Sequence, residues 1–105
     1  MPQDLSALMI NTQTVQTITI PYAGQDWIFK MRELPYTVIT RIGSQCVSLV
    51  NGRAMIDKCE YDVRYLEEAL TEAPWEDLKQ TRRIMGTMKK DFGVLLCAHI
   101  QQPFD

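Results

Sequence analysis

The chain has 105 residues, of which 46% are hydrophobic and 23% charged, and its formal net charge is −2. That length predicts one domain able to bury a real core, and that composition excludes wholesale disorder and gives no sign of a nucleic-acid or membrane partner. Three widely spaced cysteines (Cys46, Cys59 and Cys97), with no CxxC pair and no cluster around the single histidine His99, signal neither a disulfide framework nor a zinc site.

In chain order, residues 1–12 read as a loose lead-in, and residues 13–105 as one hairpin-plus-helices domain. The first ten residues lack the pattern of a signal peptide. No apolar run approaches the roughly 20 residues that a membrane span needs. A soluble, cytosolic protein with reduced cysteines is the expectation. Thr14 to Ile20 is rich in β-branched residues, and Trp27, Phe29 and Met31 alternate with Ile28, Lys30 and Arg32. The loop "PYAGQ" separates the two runs, so they predict a β-hairpin. Its apolar face must be covered, because a lone hairpin is marginal in water.

A first helix is predicted over "PYTVITRIGSQCVSLVNG". Pro35 suits the first turn. Val38 or Ile39, Ile42, Cys46, and Leu49 or Val50 form one stripe. Gly52 after Asn51 reads as a stop signal. The internal Gly43 costs roughly 1 kcal/mol against alanine, so packing must hold this helix. "RAMIDKCEY" reads as a connector with some extended character. Asp62 is the expected cap of a second helix, whose buried side is Tyr65, Leu66, Ala69 and Leu70. Pro74 ends it. A third helix is predicted from Trp75 to about Gln101, with Leu78, Thr81, Met85, Met88, Phe92, Leu95 and His99 in a heptad seam. At that length it would reach about 40 Å. Gly86 and Gly93 mark either a bend and close helix approach or a groove for another chain. The predicted fold is α+β, mostly α, with an N-terminal β-hairpin packed on a bundle of three helices and a long C-terminal helix.

No catalytic, cofactor or metal motif competes with this reading. His99 and Cys97 are two apart and would point to different helix faces. Glu67, Glu68 and Glu72 read as a solvated face. There is no GxxxxGK[ST] and no GxGxxG, so no enzyme is expected. Arg82, Arg83, Lys89 and Lys90 recur at a seven-residue interval. They could be a solvated face, a contact for an acidic protein, or a contact for phosphates. Glu76, Asp77 and Asp91 flank them, and nucleic acid is the weaker reading. Met85 and Met88 are either core or an adaptable surface. Trp75 either lies over the Tyr65–Leu70 face of the preceding helix, as a staple at a corner, or meets a partner. The candidate partner-binding residues are Trp75, Arg82, Met85, Met88, Lys89, Phe92 and Leu95. The seam is longer than so small a body can cover, so part of it is expected to serve assembly.

The segments "WIFKMREL", "YTVITRIGSQCVSLVNG", "YDVRYLEEALTEAPW" and "FGVLLCAHI", in this order, resemble the small tail assembly chaperones of long-tailed bacteriophages and prophages. The likeness covers about residues 13–101 and is one of layout. It implies a non-enzymatic protein of the infected host's cytoplasm, absent from the finished virion. Its partners would be the tape measure protein, which it keeps soluble, and the tail tube protein that polymerises around it. Self-association through the last helix is the natural competitor for the seam. Alternatives are a small nucleic-acid-binding regulator, or another structural component of the tail or head–tail junction.

Overall fold

Strict period-two sequence builds the first sheet. Val15–Tyr22 forms β1 and Gln25–Arg32 forms β2. They pair antiparallel from Val15 opposite Arg32 to Tyr22 opposite Gln25. Ala23 and Gly24 make the reversal, with φ of 54° and 80°. Two left-handed residues form the turn that matches strand twist, and glycine accepts that conformation without strain. Ile18, Ile20, Phe29 and Met31 point inward and are buried, while Thr17 and Thr19 face solvent. The computed structural model describes residues 3–11 and 13–103. Residues 1, 2 and 12 of the expected lead-in, and 104–105 of the expected domain, lie outside them. Ser6–Leu8 is a 3-10 turn that buries nothing.

The predicted first helix is shorter than its stripe suggested. α1 spans Tyr36–Gln45 and stops at Cys46. Val47–Val50 and Arg53–Ile56 are strands instead, β3 and β4, paired as a separate two-stranded sheet. Asn51 and Gly52, with φ of 52° and 76°, are its turn rather than a helix stop. The physical reason lies in the residues. Val47, Val50 and Ile56 favour strands, and Asn-Gly between apolar runs is the strongest short hairpin signal. All eight strand residues of this arm are exposed. Its backbone is fastened at the base by the Asp57 N–H donating to the Cys46 carbonyl at 2.8 Å. The molecule is correspondingly drawn out, 54 × 42 × 22 Å with a radius of gyration of 15.7 Å. A compact domain of this length would have about 13 Å.

α2 spans Lys58–Ala69, and its cap is Asp57, not Asp62. The Asp57 carboxylate accepts from the Glu60 N–H at 3.0 Å. Asp62 lies inside the helix, nearly buried, and pairs with Lys58 Nζ at 2.9 Å. After the helix, Leu70–Glu72 forms β5, antiparallel to β2, giving the sheet order β1-β2-β5.

The long third helix does not exist. Leu78–Gln80 is a 3-10 turn, Thr81–Met85 is a short α3, and Lys90–Cys97 is α4. Gly86 caps α3, and Lys89 is extended with ψ 140° before α4. Gly86 and Thr87 are weak helix formers at the point where continuity would be needed. The break also resets the buried face. Phe92, Leu96 and Ile100 point into the core, while Leu95 and His99 are exposed. The expectation of a mostly α protein with a three-helix bundle is therefore corrected. Among the described residues the fold is α+β with four helices and five strands in two sheets, 41% helical and 27% strand. The inner face of the three-stranded sheet packs against α1, α2 and α4 in one core. Among the described residues no helix is long and apolar enough to cross a membrane.

Candidate functional site

Two neighbouring cavities open along the broken last segment, one against the three-stranded sheet and one against α2. The first is an apolar cleft of about 230 Å³. Tyr22, Trp27 and Phe29 supply its sheet wall; Pro74, Trp75, Ile84, Met88, Lys89 and Phe92 supply the rest. The aromatic rings meet edge to face. Phe29 and Trp75 have centroids 5.6 Å apart, and Tyr22 and Phe92 are 5.1 Å apart. Such pairs add order to a buried apolar wall.

The polar handles of this cleft are used internally. Trp27 Nε1 donates to the Tyr22 carbonyl at 2.8 Å. Trp75 Nε1 donates to Thr81 Oγ1 at 3.0 Å, and Thr81 Oγ1 donates to the Leu78 carbonyl at 2.7 Å. The Tyr22 hydroxyl donates to Asp91 Oδ1 at 2.8 Å. That bond holds the Asp91 carboxyl below its ordinary value and pushes the Tyr22 phenol up. The remaining surface is apolar, with the Lys89 side chain among its lining groups. A cleft so built accepts an apolar side chain; it lacks the convergent polar groups that orient a small substrate.

The second cavity is a groove of about 790 Å³ between α2 and the α3–α4 segment. Lys58, Cys59, Asp62 and Val63 face Met85, Met88, Gly93, Val94 and Cys97 across it. Met88 and Lys89 line both cavities. Burial, followed by the negative charge of Asp62, pushes the Cys97 thiol up to about 12. Burial also raises Cys46. Protonated thiols pack as small hydrophobes and make poor nucleophiles. Among the described residues no group of three or more His, Cys, Asp or Glu side chains could hold a metal ion.

The structure brings five of the seven candidate residues together and separates two. Trp75, Met88, Lys89 and Phe92 line the cleft, and Met85 joins Met88 and Lys89 in the groove. Trp75 meets Phe29 of the sheet edge to face and packs against the core to which Tyr65, Leu66, Ala69 and Leu70 belong. Leu95 lines neither cavity and is 45% exposed. Arg82 is occupied within the fold. Its guanidinium reaches Glu60 Oε2 at 2.9 Å and Oε1 at 3.0 Å, and Glu67 Oε1 at 2.8 Å, so it ties α3 to α2. The cleft residues Tyr22, Trp27, Phe29, Pro74 and Ile84 were not expected there. Only the inward phase of Trp27 and Phe29 in the hairpin hinted at a role.

The Arg82 network predicts an acid-sensitive contact. Arg82 and then Arg64 hydrogen-bond the Glu60 carboxylate and hold it at about 2, against an ordinary 4.5. A depressed folded value contributes stability that is full above about pH 4.5 and fades as the pH falls toward 2. Glu60→Gln is expected to flatten the fall of the melting midpoint across that window, measured by circular dichroism at a series of pH values. An unchanged slope would mean that the network carries no linkage.

No family model, curated protein or solved structure matches this chain.

Proposed function

We propose that this protein is a tail assembly chaperone of a long-tailed bacteriophage. It acts without catalysis in the host cytoplasm, binding the tape measure protein and assisting assembly of the tail tube protein around it. Support comes from the segment layout and from one structural observation. An open apolar cleft and a groove of mixed lining meet at Met88, with the cations Lys89 and Lys90 among the lining residues. Neither lysine makes an ion pair within 4 Å among the described residues.

An amphipathic helix presents apolar anchors three and four residues apart, with charged flanks. One anchor fits the aromatic cleft and the next fits the groove, while acidic flanks meet Lys89 and Lys90. Methionines at the junction suit a client whose sequence varies along its length. The exposed β3–β4 arm adds uncovered apolar surface, with Leu49 78% exposed and Met55 53% exposed. Such patches mark places where another polypeptide docks.

The nucleic-acid reading has less support. Arg82 is neutralised by two carboxylates, and the break before α4 removes the shared helix face that the seven-residue spacing required. A structural component of the tail or head–tail junction would be found in purified particles, whereas a chaperone would be absent from them. Co-expression with the tape measure protein tests the proposal directly. The client is expected to become soluble and to co-elute with this protein. Unchanged client solubility with no complex overturns the reading.

A further inference from the structure

The three-stranded sheet ends on β1, whose outer edge pairs with no other strand among the described residues. Natural edge strands usually carry charges, central prolines or bulges that prevent another strand from adding. β1 is eight residues long, pairs with β2 in unbroken register, and has its one proline, Pro21, beside the turn. No charged residue occurs between Asp4 and Asp26.

The register fixes which backbone groups are free. Tyr22 and Gln25 flank a two-residue turn and exchange hydrogen bonds with each other. Antiparallel alternation then turns the N–H and C=O of Thr19, Thr17 and Val15 away from β2. Their side chains are exposed as well.

We infer that β1 pairs antiparallel with β1 of a second copy, about a two-fold axis at Thr17. Thr17 then faces the partner's Thr17, and Val15 faces the partner's Thr19. The three pairs exchange about six backbone hydrogen bonds and join two three-stranded sheets into one. Several features select a second copy as the occupant. Only an extended chain satisfies a strand edge, so a helical client does not fit it. The uncharged edge lets two copies of a net-negative chain meet there without repulsion. Thr17 meets its own copy at the dyad, a favourable cross-strand pair, and Thr19 on the same outer face meets a β-branched valine. A two-fold axis perpendicular to the sheet also keeps both inner faces on one side. α4 packs against β1, so the dyad sets α4 beside its copy, where Leu95 is exposed and lines neither cavity. That apolar contact supplies area beyond the strand pairing, toward the roughly 1,200–2,000 Å² of stable interfaces.

The test is the oligomeric state of the full chain by light scattering and sedimentation over a concentration range. A dimer fraction that rises with concentration is expected. Thr17→Lys sets two cations against each other at the axis, and is expected to raise the dimer dissociation constant at least tenfold with the far-ultraviolet spectrum unchanged. Thr17→Pro removes an outward N–H while sparing the β1–β2 ladder, and is expected to do the same. In a Cys59→Ser background, which removes the exposed native thiol, Thr17→Cys is expected to form a disulfide-linked dimer on mild oxidation. Thr19→Cys, placed opposite the partner's Val15, is not. A chain that stays monomeric at every concentration overturns the inference. So does a dimer that tolerates Thr17→Lys and fails to cross-link at Thr17.

Discussion

If the protein holds a tape measure chain as proposed, Met88→Glu is expected to weaken that binding at least tenfold and to leave the fold intact. Met88 is only partly buried, and it lines both the aromatic cleft and the α2–α4 groove. Burying a methionine-sized contact is worth about 1.5–3 kcal/mol, and roughly 1.4 kcal/mol is a factor of ten in affinity. A carboxylate at that junction removes the contact and repels the acidic flanks of a client drawn to Lys89 and Lys90. Tyr36→Glu is the matched control, because Tyr36 is exposed at the start of α1 and touches neither cavity. Titration calorimetry with a soluble tape measure fragment distinguishes the two. Equal effects from both variants would show that the cavities are not the binding surface.

Phe29→Ala is expected to remove about 3–5 kcal/mol of stability, as truncation of a fully buried phenylalanine does. Phe29 is 0% exposed. Its ring lies 5.6 Å from that of Trp75 and 6.1 Å from that of Phe92, so it joins the sheet, the cleft wall and α4. Domains of this kind have only about 5–15 kcal/mol in total, so the variant would be near unfolding at 37 °C. Urea denaturation reads the loss. A cost under about 1 kcal/mol would contradict the packing described for this ring.

The first hairpin was legible because two period-two runs flank a turn. The arm was not, because Val47, Leu49 and Val50 satisfy both a helical stripe and a strand, and short apolar runs do not separate the two. Asn51-Gly52 deepened the ambiguity, since a glycine after asparagine ends helices and also turns hairpins. The true cap of α2 did leave a signal. Asp57 followed by Glu60 has the spacing of a capping box, and the carboxylate of Asp57 does meet the Glu60 N–H. In the last segment the three- and four-residue spacing ran straight across Gly86 and Thr87, so periodicity hid a break at two weak helix formers. Leu95 and Leu96 are neighbours of equal hydrophobicity, and only the reset of α4 decides which is buried.

The site was half legible for a related reason. Met85, Met88, Lys89 and Phe92 cluster in sequence. Tyr22 and Trp27 reach the cleft from the other end of the chain. Arg82 looked free because its carboxylate partners, Glu60 and Glu67, belong to a preceding helix.

Placing Met88 between helices rather than within one changes how its surroundings can yield. Thr87 and Met88 are held by turn bonds, their N–H groups donating to the Ile84 carbonyl at 3.2 Å and the Met85 carbonyl at 3.4 Å, with the Thr87 hydroxyl also donating to the Ile84 carbonyl at 3.3 Å. A rigid rod would have to bend to widen either cavity, whereas here a few torsions around Thr87 and Lys89 suffice. On the proposed function, one small protein can thereby conform to successive, dissimilar stretches of a very long polypeptide, trading tight selectivity for reach.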